Sequence, residues 1–136
     1  MDVAIVGVGL HPFGRFPDRT GIDMGAIAIR RALEDAGVAW RDIQFAFGGS
    51  YEIDNPDAVV AFLGLTGIPF TNVYNGCATA ASVLTLAADT IRLGEHDLGI
   101  AVGMDMELVL VPFRTDDDGN EVVTFAFRPV VAEAPA

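Results

Sequence analysis

Short apolar runs alternate along the chain with stretches in which apolar residues recur every three or four positions. Val3 to Val8 is a continuous apolar run with β-branched residues, short enough for a strand buried on both faces. Gly9 to Gly21, rich in Gly, Pro and Arg, reads as a loop. Asp23 is suited to capping a helix that runs to Ala36, with Gly37 as its left-handed stop. Ala26, Ile29, Leu33 and Ala36 form the buried stripe, and Arg30, Arg31, Glu34 and Asp35 face water. Gln44 to Gly48 reads as a second strand, Gly49 to Glu52 as a loop, and Pro56 to Gly64 as a short helix with proline in its first turn. Phe70 to Tyr74 has the aromatic and β-branched character of a third strand, broken by the turn pair Asn75-Gly76. From Cys77 the pattern is helical, with Ala80, Leu84, Ala87 and Ile91 on one face, and Asp97 to Gly103 is a fourth strand.

This order predicts an α/β fold with parallel strand pairing and helices packed on the sheet. The strand carboxyl ends, and the turn before Cys77, then share the edge where open α/β sheets bind ligands. After Met106 the character changes. Glu107 to Phe113 and Glu121 to Phe127 read as two strands joined by a turn at Asp116 to Asn120, a β-hairpin over 106–129. The Pro- and Ala-rich residues 130–136 read as a disordered tail.

The length, 136 residues, suits one domain, and 51% hydrophobic with 20% charged residues suits a packed core. A formal net charge of −11 argues against nucleic acid or an anionic membrane as partners. No basic segment precedes an apolar run at the start and no apolar run reaches spanning length, so the expected location is cytoplasmic. A single cysteine excludes an internal disulfide and a cysteine-based metal site.

Several motifs favour plain structural roles. Gly7, Gly9 and Gly14 lack dinucleotide-fingerprint spacing, and His11-Pro12 stands where the helix would begin. His11 itself reads as an exposed loop residue before a catalytic base, and the Arg30-Arg31 pair as a solvated face before a phosphate site. The acidic residues Glu52, Asp54 and Asp57 read as a solvated loop, and Asp116 to Asp118 as a solvated turn, before any metal or calcium site.

Cys77 is different because of its position. It sits where a strand turns into a helix, beside free backbone N–H groups and the positive end of the helix dipole. That setting favours a thiolate, the reactive form. The residues alone leave two readings open, a small buried hydrophobe or an activated nucleophile.

Asn75-Gly76-Cys77-Ala78-Thr79 resembles the nucleophile motif of the thiolase superfamily, in the branch of sterol carrier protein x and the bacterial lipid-transfer thiolases. Val3 to Gly14 resembles that branch's first strand and loop, and Ala88 to Gly94 with Leu98 to Met104 resembles its helix-to-strand return. The likeness covers about residues 1–105 and departs at Ala80-Ala81, where many relatives carry glycine. It implies half of a thiolase-type α/β sandwich, a mixed sheet with helices packed on it, followed by the hairpin. The hairpin resembles the closing strands of the small OB-fold partners of such thiolases, which suggests a foreign tail.

The resemblance implies acyl-CoA C–C bond cleavage or condensation through an acyl-enzyme on Cys77. Gly76 and Ala78 would support the turn and the oxyanion; from the helix start itself, the backbone N–H of Cys77 or Ala78 is the donor expected to help bind the acyl oxyanion. Coenzyme A would serve as co-substrate with no bound cofactor or metal. It assigns the acid and base groups to the family's second half; no downstream Gly-His-Pro or Cys-x-Gly motif occurs in this sequence. A retro-aldol lyase acting on a sterol side-chain thioester and a non-catalytic acyl-CoA-binding or assembly module are the alternatives. The expected partners are an acyl-CoA and either a second copy or an OB-fold protein. Half a fold would leave one helix-facing side of the sheet bare; Ile5, Phe45, Phe47, Ile100 and Val102 should lie in that sheet, and such an apolar face drives dimerisation or aggregation.

Overall fold

The computed structural model describes residues 2–14, 16–50, 53–104 and 130–132. The elements are β1 (Gly7–Gly9), α1 (Gly21–Ala36), β2 (Phe45–Gly49), α2 (Val60–Leu63), β3 (Phe70–Val73), α3 (Thr79–Arg92), β4 (Gly99–Gly103) and β5 (Val130–Ala132). Short 3₁₀ turns at Trp40–Asp42, Pro56–Val59 and Gly76–Ala78 lead into β2, α2 and α3. One mixed sheet takes the order β1-β5-β4-β2-β3. β2 runs parallel to β3 and β4, whereas β5 is antiparallel to both of its neighbours.

Chain direction explains the layers. The steps from β1 to β2 and from β2 to β3 move one way across the sheet, and the step from β3 back to β4 moves the other way. Right-handed crossovers therefore put α1 and α2 on one face and α3 on the opposite face. The side chains agree. Ala46, Ile100 and Val102 pack with Ile29, Leu33 and Val59, while Phe45 and Ala101 pack with Val83, Ala87 and Ile91. The expectation of a bare sheet face is thus corrected: Phe45 is 3% exposed, and Ile100 and Val102 are 0%. Ile5, at 57%, is exposed and precedes the paired part of β1.

The tail is a second correction. Val130–Ala132, expected to be disordered, form a strand inside the sheet. Val131 lies in register with Val8 on one side and Ala101 on the other. Between β1 and β4 there would otherwise be two rows of unpaired backbone groups, and β5 satisfies both. The hairpin expected over 106–129 lies outside the described residues.

β1 is shorter than the apolar run that announced it. The Val8 N–H donates to the Asp35 carboxylate at 2.9 Å, while Asp35 stays on the exposed face of α1 expected of it. Gly7 and Gly9 are there because α1 lies directly on β1. A Cβ at Gly9 would come within 2.0 Å of the Ala28 carbonyl oxygen and 2.4 Å of the Ala32 nitrogen, both rigid helix backbone. Gly9→Ala is therefore expected to cost about 3 kcal/mol by forcing α1 away from the sheet, measured as a lower chemical-denaturation midpoint. An unchanged midpoint would mean that helix and strand do not touch there.

The start of α1 is one turn earlier than Asp23. Thr20 is the N-cap, and its hydroxyl accepts the Asp23 N–H at 3.1 Å. Asp23 reciprocates as the third helical residue, accepting the Thr20 N–H at 2.8 Å. That backbone hydrogen bond, then the Thr20 hydroxyl, then the nearby Arg19 charge, hold the Asp23 carboxyl below its ordinary value. A depressed carboxyl stabilises the fold above its unfolded-state value and loses that contribution as pH falls through its folded-state value. Thr20→Ala should therefore lower the melting temperature by roughly a few degrees at pH 7. The gap from wild type should narrow as the solution is acidified below the usual carboxylate range.

The basic pair on α1 stitches the fold together. Arg31 donates to the Leu10 carbonyl at 2.6 Å and Arg30 to the Phe62 carbonyl, holding the loop after β1 and the end of α2. Among the described residues, no helix is long and apolar enough to cross a membrane.

Candidate functional site

The parallel strands β2, β3 and β4 end on one edge, at Gly49, Val73 and Gly103. Beyond Val73 the chain turns through Tyr74, Asn75 and the 3₁₀ turn Gly76–Ala78 before α3 begins at Thr79. Cys77 is the middle residue of that turn, and it is exposed. The strand-to-helix position expected from the sequence is the one observed. Gly76 has φ +53° and nothing within 4 Å of a built Cβ, so the position favours glycine for its backbone and not for lack of room.

A compact set of hydrogen bonds fixes the turn. The Ala78 N–H donates to the Asn75 carbonyl at 3.0 Å. The Asn75 N–H donates to the Thr79 hydroxyl at 2.8 Å, and that hydroxyl donates to the Gly76 carbonyl at 2.7 Å. The Asn75 side-chain amide donates to the Ser82 hydroxyl at 2.9 Å, one turn further along α3. Ala78, expected to offer its N–H to an acyl oxyanion, thus already spends that donor inside the turn.

No side chain caps α3. Its N-cap, Ala78, makes no side-chain capping bond. A 14-residue helix thus begins two residues beyond the thiol. Thr79, 5% exposed, and Val83 anchor the helix on the sheet. A Cβ at Gly49 would come within 2.2 Å of the Thr79 methyl and 3.0 Å of Val83, so the glycine ending β2 admits the start of α3.

This corrects the buried stripe of α3, which is Thr79, Val83, Ala87 and Ile91. Ala80 is only half-buried and Leu84 is 40% exposed. The Ala81 methyl is likewise exposed, so the Ala80-Ala81 pair does not crowd the helix contact with the sheet. Sequence reasoning missed Thr79 and Ser82 as parts of the site. The signal was present in a threonine four residues after the asparagine of a turn, a spacing at which hydroxyls bond backbone groups.

A shallow cleft of about 190 Å³ opens nearby, between the ends of β2 and β3, lined by Ser50, Ile53, Asp54, Pro56, Asn72, Val73 and Tyr74. Asp57 is bonded to β3 through Asn72. Its N–H and carboxylate both bond the Asn72 side chain, at 2.9 and 2.7 Å, tying the turn before α2 to β3. His11 has a structural setting too. Its Nδ1 lies 2.9 Å from the Pro12 carbonyl, its Nε2 lies 3.3 Å from Arg19, and its ring meets Phe16 edge-on.

Residues 3–109 match the family described as "Thiolase, N-terminal domain". The chain belongs to this thiolase family. Among curated proteins, it is 33% identical over 109 residues to sterol carrier protein 2 of Gallus gallus, which spans 76% of this chain and 20% of that protein. It is 35% identical over 118 residues to non-specific lipid-transfer protein-like 2 of Caenorhabditis elegans, covering 76% of this chain and 26% of that one. It is 32% identical over 111 residues to acetyl-CoA acetyltransferase of Methanothermobacter thermautotrophicus, covering 76% and 29%. The matched region thus spans less than a third of each of these thiolase relatives.

Among solved structures, 3-oxoacyl-[acyl-carrier-protein] synthase III from Aquifex aeolicus superposes with a TM-score of 0.77 at 13% identity, over 99% of this chain and 54% of that one. The priming β-ketosynthase of the R1128 polyketide pathway gives 0.70 at 20% identity, over 98% and 50%. At these identities the likeness is one of fold. It supports the thiolase-type α/β sandwich expected from the sequence.

Proposed function

We propose that this thiolase-family chain supplies the nucleophile for cleavage or formation of a C–C bond in a 3-oxoacyl-CoA. The observation that carries the proposal is the exposed Cys77 in a hydrogen-bonded turn at the start of α3, in a chain of this family. In the cleavage direction the Cys77 thiolate adds to the 3-keto carbon. The C2–C3 bond then breaks, its electron pair passes into the enolate of the departing acetyl- or propionyl-CoA, and the enolate is protonated at C2. The acyl group remains on Cys77 as a thioester until the thiol of a second coenzyme A takes it, returning the cysteine.

The chain's own contribution is the nucleophile and the Cys77 N–H as a donor to the acyl oxyanion. The protonation of the enolate and the activation of coenzyme A require an acid and a base, which the resemblance assigns to the family's second half. The names of the curated relatives, an acetyltransferase among them, support acyl-CoA as the substrate class.

Product analysis separates this reading from its alternatives. Incubation with a 3-oxoacyl-CoA should release a shorter CoA thioester in one equivalent per chain, with the remaining acyl group retained by the protein. A retro-aldol lyase would instead act on a 3-hydroxyacyl-CoA of a sterol side chain, release a carbonyl compound and retain nothing. A binding module would release neither product.

A further inference from the structure

We infer that Thr79 is a positioning residue for Cys77, its hydroxyl holding the nucleophile turn in shape while its methyl group separately docks α3 on the sheet. The inference deepens the thiolase reading and rests on it for the role of Cys77. The two halves of this one side chain do different work. Oγ1 accepts the N–H of Asn75 at 2.8 Å and donates to the carbonyl of Gly76 at 2.7 Å, so it joins the two residues that immediately precede Cys77. Thr79 also donates its own N–H to the Gly76 carbonyl, closing the 3₁₀ turn that contains the cysteine. The methyl group faces Gly49, where even one added carbon would meet it at 2.2 Å.

Thr79 is 5% exposed, so a hydroxyl left without partners there could not turn to water. Gly76, at φ +53°, adopts a backbone conformation that glycine does not itself select over its mirror region. The carbonyl of Gly76 is oriented by its two bonds to Thr79, and with it the peptide leading into Cys77. Asn75 receives a further restraint from Ser82, but through its side chain and not through the backbone next to the cysteine.

Two substitutions separate the halves. Thr79→Val keeps the branched shape against Gly49 and removes both hydroxyl bonds. Thr79→Ser keeps the bonds and removes the methyl. The readout is the second-order rate of Cys77 alkylation by iodoacetamide at pH 6, in the full chain, at a temperature where circular dichroism shows each variant folded. Thr79→Val is expected to slow alkylation about tenfold, the order of penalty that misplacing a reacting group brings. Thr79→Ser should stay within about twofold of wild type although its melting temperature falls, since its reacting geometry is kept.

The inference is overturned if the valine variant reacts at or above the wild-type rate, or if the serine variant is as slow as the valine variant. The second result would make Thr79 a packing residue only. These outcomes do not depend on acyl-CoA turnover. A wild type that acquires no acyl group from a 3-oxoacyl-CoA counts against the thiolase reading, and the alkylation pattern still decides the role of Thr79.

Discussion

Truncation after Pro129 is expected to lower the melting temperature by more than about 10 °C, equivalent to several kcal/mol for a domain of this size. β5 lies inside the sheet and is the sole described strand partner of β1. Its loss leaves β1 attached only through α1, whose backbone rests on Gly7 and Gly9, and opens the edge of β4 to water. The pairing also links the two ends of the chain, so its contribution is long-range and cannot be replaced by local structure. Val131→Pro provides a test without shortening the chain. Val131 lies between Val8 and Ala101, and a proline there lacks the N–H and the conformational range of an interior strand. Both variants should melt well below wild type in the same thermal scan. If truncation instead shifts the transition by only a degree or two, β5 is not an integral strand and the tail is dispensable.

The strand-and-helix order of the first part was legible because each apolar run and each three-four stripe carried a single reading. The stripe Ala26, Ile29, Leu33, Ala36 matches the buried side of α1, and the Asn75-Gly76 break marks the turn that holds Cys77. Legibility failed where a polar residue or a glycine did the packing. In α3 the apolar pattern pointed to Ala80 and Leu84, but Thr79 and Val83 are the residues set against Gly49. A buried threonine whose hydroxyl is satisfied within its own turn gives no apolar signal.

β5 failed for another reason. Three residues among prolines and alanines carry little periodicity, and their partners Gly7–Gly9 lie at the opposite end of the sequence. Pairing of that kind depends on the edges left by the other strands, which local pattern does not record. The site was readable as a cysteine at a helix start. The bonds from Thr79 to Asn75 and Gly76, and from Asn75 to Ser82, required three-dimensional placement.

Cys77→Ala is expected to abolish covalent acyl capture completely while leaving the fold intact. Cys77 is exposed and makes no part of either buried cluster, so removing its sulfur should change stability by about 0.5 kcal/mol or less, as for surface substitutions generally. The chemical effect is not graded in the same way. The chain has no second cysteine to accept the acyl group, and an alanine at the turn has no nucleophile to offer. Cys77→Ser is a stricter comparison. It keeps the size of the side chain, but a hydroxyl without an adjacent base is a weak nucleophile, so adduct formation should fall below detection on the timescale of the wild-type reaction.

The most direct measurement is the intact mass of the full-length chain after incubation with a 3-oxoacyl-CoA, followed by peptide mapping. The account predicts one added acyl group, shortened by the two or three carbons released and located on Cys77. An unmodified mass for the wild type, or an acyl group on another residue that persists in Cys77→Ala, would contradict it.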